Sequence, residues 1–290
     1  MSLRKWQYSY LCGVAWFLLS SAISVTNDVL MKFFGRAYPT SQIVFLRYVF
    51  ATASLLPVVS RAKKGEAALW RISKLHFIRA ALLLLAMTLY CWALHRLPIA
   101  TAVALNFIIP IFTLIFTRIF LKEKITGGSI IATMVGAVGV LVVFEPGNAK
   151  FTAFAAAMVL LSAALFASLD VINKKFVGGE GVFRMVLHTA TITSLLSCPF
   201  ALWKWVWPSM GDLCLFAALG CGANLLLYCT LRAFEKVDMS AIVPLRYFEF
   251  VLTAVAGFAI FGEIPSVSTI LGALLIISST VYAVLAGVKK

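Results

Sequence analysis

Pro244-Leu245-Arg246-Tyr247-Phe248-Glu249 lies inside an apolar run from about Met239 to Phe261, long enough to cross a bilayer as a helix. At ~1.5 Å rise per residue, Arg246 would sit ~10 Å and Glu249 ~15 Å below the membrane surface, close to the midplane. A charge at that depth costs at least ~2.5–3.5 kcal/mol on insertion scales, so each must face protein, water or a partner. The i, i+3 spacing puts both side chains on one helix face, with Tyr247 on an adjoining face. Either Arg246 and Glu249 form a structural pair that fixes helix packing, or they mark a polar solute site half way through a membrane. The second reading is preferred, because the chain repeats the arrangement.

Composition agrees with a membrane protein. The chain is 62% hydrophobic with a mean hydropathy of +0.99, far above a soluble domain. Ten spans of about 20 residues each are expected, at roughly 9–31, 42–60, 77–94, 99–120, 126–144, 152–173, 183–203, 211–233, 239–261 and 266–287. No soluble catalytic domain fits between them. The first has no small-residue cleavage site and nine more follow, so it reads as a retained helix rather than a secretory signal.

The net charge of +14 is topological rather than a nucleic-acid footprint. With the N-terminus inside, eighteen Lys and Arg fall on that side, among them Arg61, Lys63, Lys64, Arg71, Lys74 and Arg79 around the second connection. Five fall opposite: Lys32, Arg36, Arg96, Lys150 and Lys204. Arg47 and Arg246 remain within spans. This asymmetry predicts cytoplasmic termini, and Trp203, Trp205 and Trp207 belong to an outer interfacial belt. The 61–76 connection, with Trp70 among basic residues, reads as a cytoplasmic interfacial segment.

Chemistry-bearing motifs are scarce. The six cysteines lie in or beside apolar spans without a CxxC pair, so neither disulfides nor a metal site is expected. His76, His95 and His188 are scattered and read as ordinary interfacial or packed side chains. No GxSxG, HExxH or phosphate-binding loop occurs, so no catalytic residue and no cofactor is expected.

The chain does contain an internal repeat. Asp28-Val29-Leu30-Met31-Lys32-Phe33-Phe34 and Asp170-Val171-Ile172-Asn173-Lys174-Lys175-Phe176 share Asp-Val, then Lys and Phe four and six places after the Asp, at an offset of 142. Further on the offset is 140: Asn106-Phe107 falls on Arg246-Tyr247, and Phe120-Leu121-Lys122-Glu123 on Ile260-Phe261-Gly262-Glu263. This predicts an all-α membrane fold of two five-helix halves, 1–146 and 147–290. Five is odd, so the second half is inserted upside down. Such inverted repeats place a site at the midplane between halves, with access alternating across it.

Candidate site residues follow from this arrangement. Asp28 and Arg47 return to a similar depth near the outer face, predicting an ion pair, with Lys32 an alternative partner able to snorkel outward. Thr189 stands where the second half should have Arg47, so Asp170 lacks an arginine counterpart. It is satisfied by Lys174 or left for a cation. Asn106, the symmetry mate of Arg246, and Phe107 are expected to point into one central cavity with it. Tyr90, Trp92, Asn224 and Tyr228 line that cavity or pack against lipid. Gly127, Gly136, Gly139, Gly272 and Ala273 mark the fifth and tenth spans as packing or dimer-facing helices, so a homodimer is open.

Two five-helix halves of this size, each closing its fourth helix with Glu123 or Glu263, resemble the EamA family of the drug/metabolite transporter superfamily. Trp16-Phe17-Leu18-Leu19-Ser20, Asn27-Asp28-Val29, the stretch from Asp170 to Val177 and Arg246-Tyr247-Phe248-Glu249 look like S-adenosylmethionine transporters of obligate intracellular bacteria. The resemblance implies import of S-adenosylmethionine in exchange for S-adenosylhomocysteine across a bacterial inner membrane. Asp170 and Glu249 would then hold cationic groups and Arg246 the carboxylate. Tyr90, Trp92, Phe107, Tyr228 or Tyr247 would stack on adenine or face the sulfonium. Uptake of another amino acid or nucleoside-like metabolite is the rival within transport, and a membrane-embedded transferase the rival outside it.

Overall fold

The computed structural model describes residues 3–35, 37–61, 72–97, 102, 105–143, 153–261 and 267–288. The regular structure among the described residues is all helical, with no strand. In chain order the helices are α1 (Leu3–Phe34), α2 (Thr40–Arg61), α3 (Lys74–Leu94), α4 (Ile109–Phe116), α5 (Gly127–Val143), α6 (Ala153–Glu180), α7 (Val182–Leu202) and α8 (Met210–Lys236). After α8 come a single turn Met239–Ile242 and a 3₁₀ stretch Val243–Tyr247, then α9 (Phe248–Phe261) and α10 (Val267–Val288).

Six of these helices are long and apolar enough to cross a membrane, and three further apolar helices are shorter. Ten full-length spans were expected; the fourth and ninth runs are the ones that are not continuous. Each carries a proline (Pro110, Pro244) at the first positions of a new helical stretch, where a missing N–H is tolerated but cannot continue the preceding turn. The chain leaves helix at Phe107–Ile108 in one run and tightens to 3₁₀ through Val243–Tyr247 in the other. At the 140-residue offset Phe107–Ile108 falls on Tyr247–Phe248, so the first break meets the end of the second. The Lys64 side of the 61–76 connection with Trp70, together with Arg36, Lys150 and Glu263, lies outside the described residues.

In contrast, α1 and α6 outrun their apolar stretches. α6 continues past Lys174 to Glu180, and Gly181, at φ 77°, separates it from α7 with a backbone conformation that suits glycine. Ser209 caps α8, its hydroxyl accepting from the Asp212 N–H at 3.1 Å, with Asp212 in the first turn beside the positive end of the helix dipole.

The packing has an internal symmetry. α1 packs on α8 and α6 on α3; α2 packs on α8 and α3 on α7; α1 meets α9 and α6 meets α4; α2 packs on α7, and α5 on α10. Exchanging every helix for the one five places along turns this set into itself. Small residues let the last pair close: a Cβ on Gly139 would lie 3.0 Å from the Gly272 carbonyl oxygen, and one on Gly136 would lie 2.4 Å from the Tyr247 ring. Gly136 and Gly139 of α5 therefore serve packing within the chain, whereas a Cβ on Gly127 would meet nothing within 4 Å. At the end of α7, Trp203 and Trp207 project outward.

Candidate functional site: a charged cavity between the halves

Helices α1, α2, α3, α6, α7 and α8, with the broken runs before α4 and α9, surround an open cavity of ≈ 180 Å³. Its charged lining comprises Asp28, Asp170 and Glu249 with Arg47, Arg79 and Arg246. Asn106, Phe107, Tyr90, Phe17, Phe166 and serines of α1 complete much of the wall.

Arg246 bonds to Asp170, Nη2 to Oδ2 at 2.5 Å, and its guanidinium lies 5.8 Å from the centre of the Phe17 ring. Asp170 thus does have an arginine partner. It comes from the ninth apolar run rather than from the second helix of its own half, so the expectation of an Asp170–Lys174 pair or an open aspartate is corrected. Among the described residues Glu249 makes no salt bridge. Its carboxylate is faced by Ser24 of α1.

Tyr90 donates its hydroxyl to Asp28 Oδ2 at 3.3 Å. The expected Asp28–Arg47 contact pair is absent among the described residues. Arg47 Nη1 instead points at the sulfurs of Met31 (2.8 Å) and Met87 (3.7 Å). These are weak acceptors for a charged donor.

Both lysines donate to carbonyls at helix ends. Lys32 Nζ donates to the carbonyls of Leu94 and Leu97 at 2.7 and 2.9 Å, closing the C-terminus of α3. Lys174 Nζ donates to those of Phe234 and Val237 at 2.6 and 2.8 Å, closing the C-terminus of α8. The ammonium groups complement the negative ends of those helices. Beside Lys174, burial raises the Glu123 carboxyl above the usual range, against opposing contributions from Lys174 and the backbone N–H groups of Ser240 and Met239.

Three aromatic expectations also fail for this cavity. Tyr247 is fully buried against Gly136, 5.9 Å from Phe107, on the α5 side. Trp92 turns away, under the Arg96 guanidinium at 3.8 Å and edge-on to Phe154. Tyr228 packs edge-on to Trp16 and accepts from Arg232 Nε at 3.1 Å. Asn224 lines the wall while donating to the Ala51 carbonyl at 2.6 Å.

Two groups were misjudged from the sequence. Arg79, counted there as a cytoplasmic edge charge, is fully buried, its Nε donating to Asn173 Oδ1 at 2.7 Å. His76 and His188 are not isolated: their rings lie 4.5 Å apart, and His76 Nε2 is 3.5 Å from Glu180, itself bridged by Arg184 at 2.7 Å.

The EamA-like transporter family profile matches residues 11–145 and again 153–285, together nearly the whole chain. The chain belongs to this family. It is similar to S-adenosylmethionine uptake transporters of Rickettsia felis, 38% identical over 95% of this chain and 93% of that one, and Rickettsia prowazekii, 37% identical over the same shares. It is less similar to a riboflavin transporter of Brucella anthropi, at 28% over 84% of this chain and 87% of that one. A crystal structure superimposes with a TM-score of 0.78 over 97% of both chains at 18% identity, a likeness of fold. The protein is thus a multi-pass membrane transporter of a small molecule, not an enzyme.

Proposed function

We propose that the protein is a secondary-active transporter of the bacterial inner membrane. It takes up S-adenosylmethionine in exchange for S-adenosylhomocysteine by alternating access. Ten apolar segments cross as two inverted halves, 1–146 and 147–290, with both termini cytoplasmic. The self-mapping of the helix contacts and the matched bonds of Lys32 and Lys174 support the repeat, and the skew of Lys and Arg supports the orientation.

One observation carries the substrate class: the Glu249 carboxylate lies in the cavity without an ion pair among the described residues. A sulfonium or ammonium can pair directly with that carboxylate, a contact that a neutral flavin does not offer. The identities to the Rickettsia proteins agree with a cationic substrate. In this reading Glu249 and Asp28 face the cationic groups, while Phe17, Phe107, Tyr90 and Phe166 offer ring faces and edges to adenine. Asn106 adds a polar contact. Exchange needs no ATP, since one extra positive charge entering per cycle gains ~2.3 kcal/mol per 100 mV of inside-negative potential.

Counterflow in proteoliposomes tests this. Labelled S-adenosylmethionine should enter fastest when the lumen is preloaded with S-adenosylmethionine or S-adenosylhomocysteine. Entry of labelled riboflavin or an amino acid, and none of S-adenosylmethionine, would sink the proposal.

A further inference from the structure

Arg79 is the least satisfied charge around the cavity. It is fully buried, lines the wall, and both terminal nitrogens, Nη1 and Nη2, lack a hydrogen-bond partner. Its neighbour Glu180 is already engaged by Arg184 and His76. A guanidinium withdrawn from water with two donors unused is costly unless something supplies acceptors. Of the other two arginines, Arg246 is held by Asp170, while Arg47 sets Nη1 on two thioethers and has only Nε, rather than both terminal nitrogens, buried without a partner.

The third nitrogen of Arg79 is the one that is fixed. Asn173 accepts from Nε at 2.7 Å, which orients the planar group from one side and leaves the Nη1/Nη2 end as a fork. That is the geometry a carboxylate accepts in two parallel bonds, and lysine does not offer it.

We propose that Arg79 reads the carboxylate of the transported substrate, with Asn173 as its positioning residue. This rests on the reading of the cavity as a site for a zwitterionic metabolite, and it moves the carboxylate from Arg246 to Arg79. The cavity then has an ordered polarity. Asn173 is one turn from Asp170 on α6, Asp170 binds Arg246, and Glu249 is one turn beyond Arg246.

The test is competition against labelled S-adenosylmethionine in proteoliposomes by two unlabelled compounds, S-adenosylmethionine itself and its decarboxylated analogue. The two differ only in the carboxylate. Wild type should prefer the carboxylate-bearing compound at least tenfold. Arg79→Gln should bring that ratio close to one by weakening S-adenosylmethionine alone. Arg79→Lys should keep the charge yet lose most of the ratio, and Asn173→Ala should lower it partway. Thermal unfolding of each variant identifies misfolding; should Arg79→Gln misfold, the Lys and Ala variants carry the test. A folded variant at Arg79 with both compounds weakened equally would overturn the assignment and leave the arginine a packing residue. No transport of S-adenosylmethionine by wild type would overturn the substrate reading, and the assignment with it.

Discussion

Arg246 reaches across to Asp170 on α6 and leaves Glu249, three residues further on, to face Ser24 of α1. Two charges adjacent on one helical stretch are thus divided between two helices of opposite halves. The first is neutralised within the protein, and the second makes no salt bridge among the described residues.

Glu249→Gln keeps the size of the side chain and removes its charge. Uptake should fall at least tenfold, about 1.4 kcal/mol in effective binding, with thermal stability unchanged or raised. Unchanged uptake with a lowered unfolding temperature would show that the carboxylate serves packing alone.

Asp170→Asn should act differently, because it strands the Arg246 guanidinium. Breaking a buried pair costs ~3–5 kcal/mol. With the two side chains 12% and 21% exposed, about 3 kcal/mol is expected. Exchanging the pair, Asp170→Arg with Arg246→Asp, should recover part of the stability. Equal unfolding temperatures for the single and double variants would argue against a pair worth that much.

Lys32→Met and Lys174→Met each remove two bonds from a charged donor to helix-terminal carbonyls. Each should destabilise the protein by about 3 kcal/mol, given ~1.5 kcal/mol or more per such bond. The two losses should match within error in detergent-solubilised protein. A large effect at only one position would show that the repeat is not energetically equivalent.

Glu123 gives a pH signature. Burial raises its folded pKa above the unfolded value, so folding favours the protonated form. Stability from this group is highest below the unfolded glutamate pKa of about 4.3 and falls as pH rises through the folded pKa. Glu123→Gln should match wild type at low pH and exceed it above that window. Unfolding temperatures that run parallel over the whole range would contradict this.

The sequence made the charged positions legible and left their partners obscure. Arg246, Glu249, Asp28, Asp170 and Arg47 were conspicuous because a charge deep in an apolar run has few places to go. Which helix supplies the counter-charge depends on lateral packing, which no linear pattern encodes, so Asp170 was matched to Lys174 on its own helix and missed Arg246 from the ninth apolar run. Arg79 was hidden by its position, five residues into α3, where a long side chain could equally have reached water. Trp92 and Tyr228 were misassigned because aromatics carry no comparable depth penalty to reveal their facing. The repeat itself was readable from Asp28 and Asp170 onward. The breaks at Phe107–Ile108 and Val243–Tyr247 were signalled only by their prolines.

The lysine bonds constrain how such a molecule can change shape. Lys174 fastens α6 to the end of α8, and Lys32 fastens α1 to the end of α3. Each clamped pair must travel as a unit, like the paired blades of a hinge-free shutter. The bending has to be concentrated elsewhere. The interrupted segments before α4 and α9 are the natural pivots, since there the backbone ladder is already broken and flexing forfeits the fewest helical bonds.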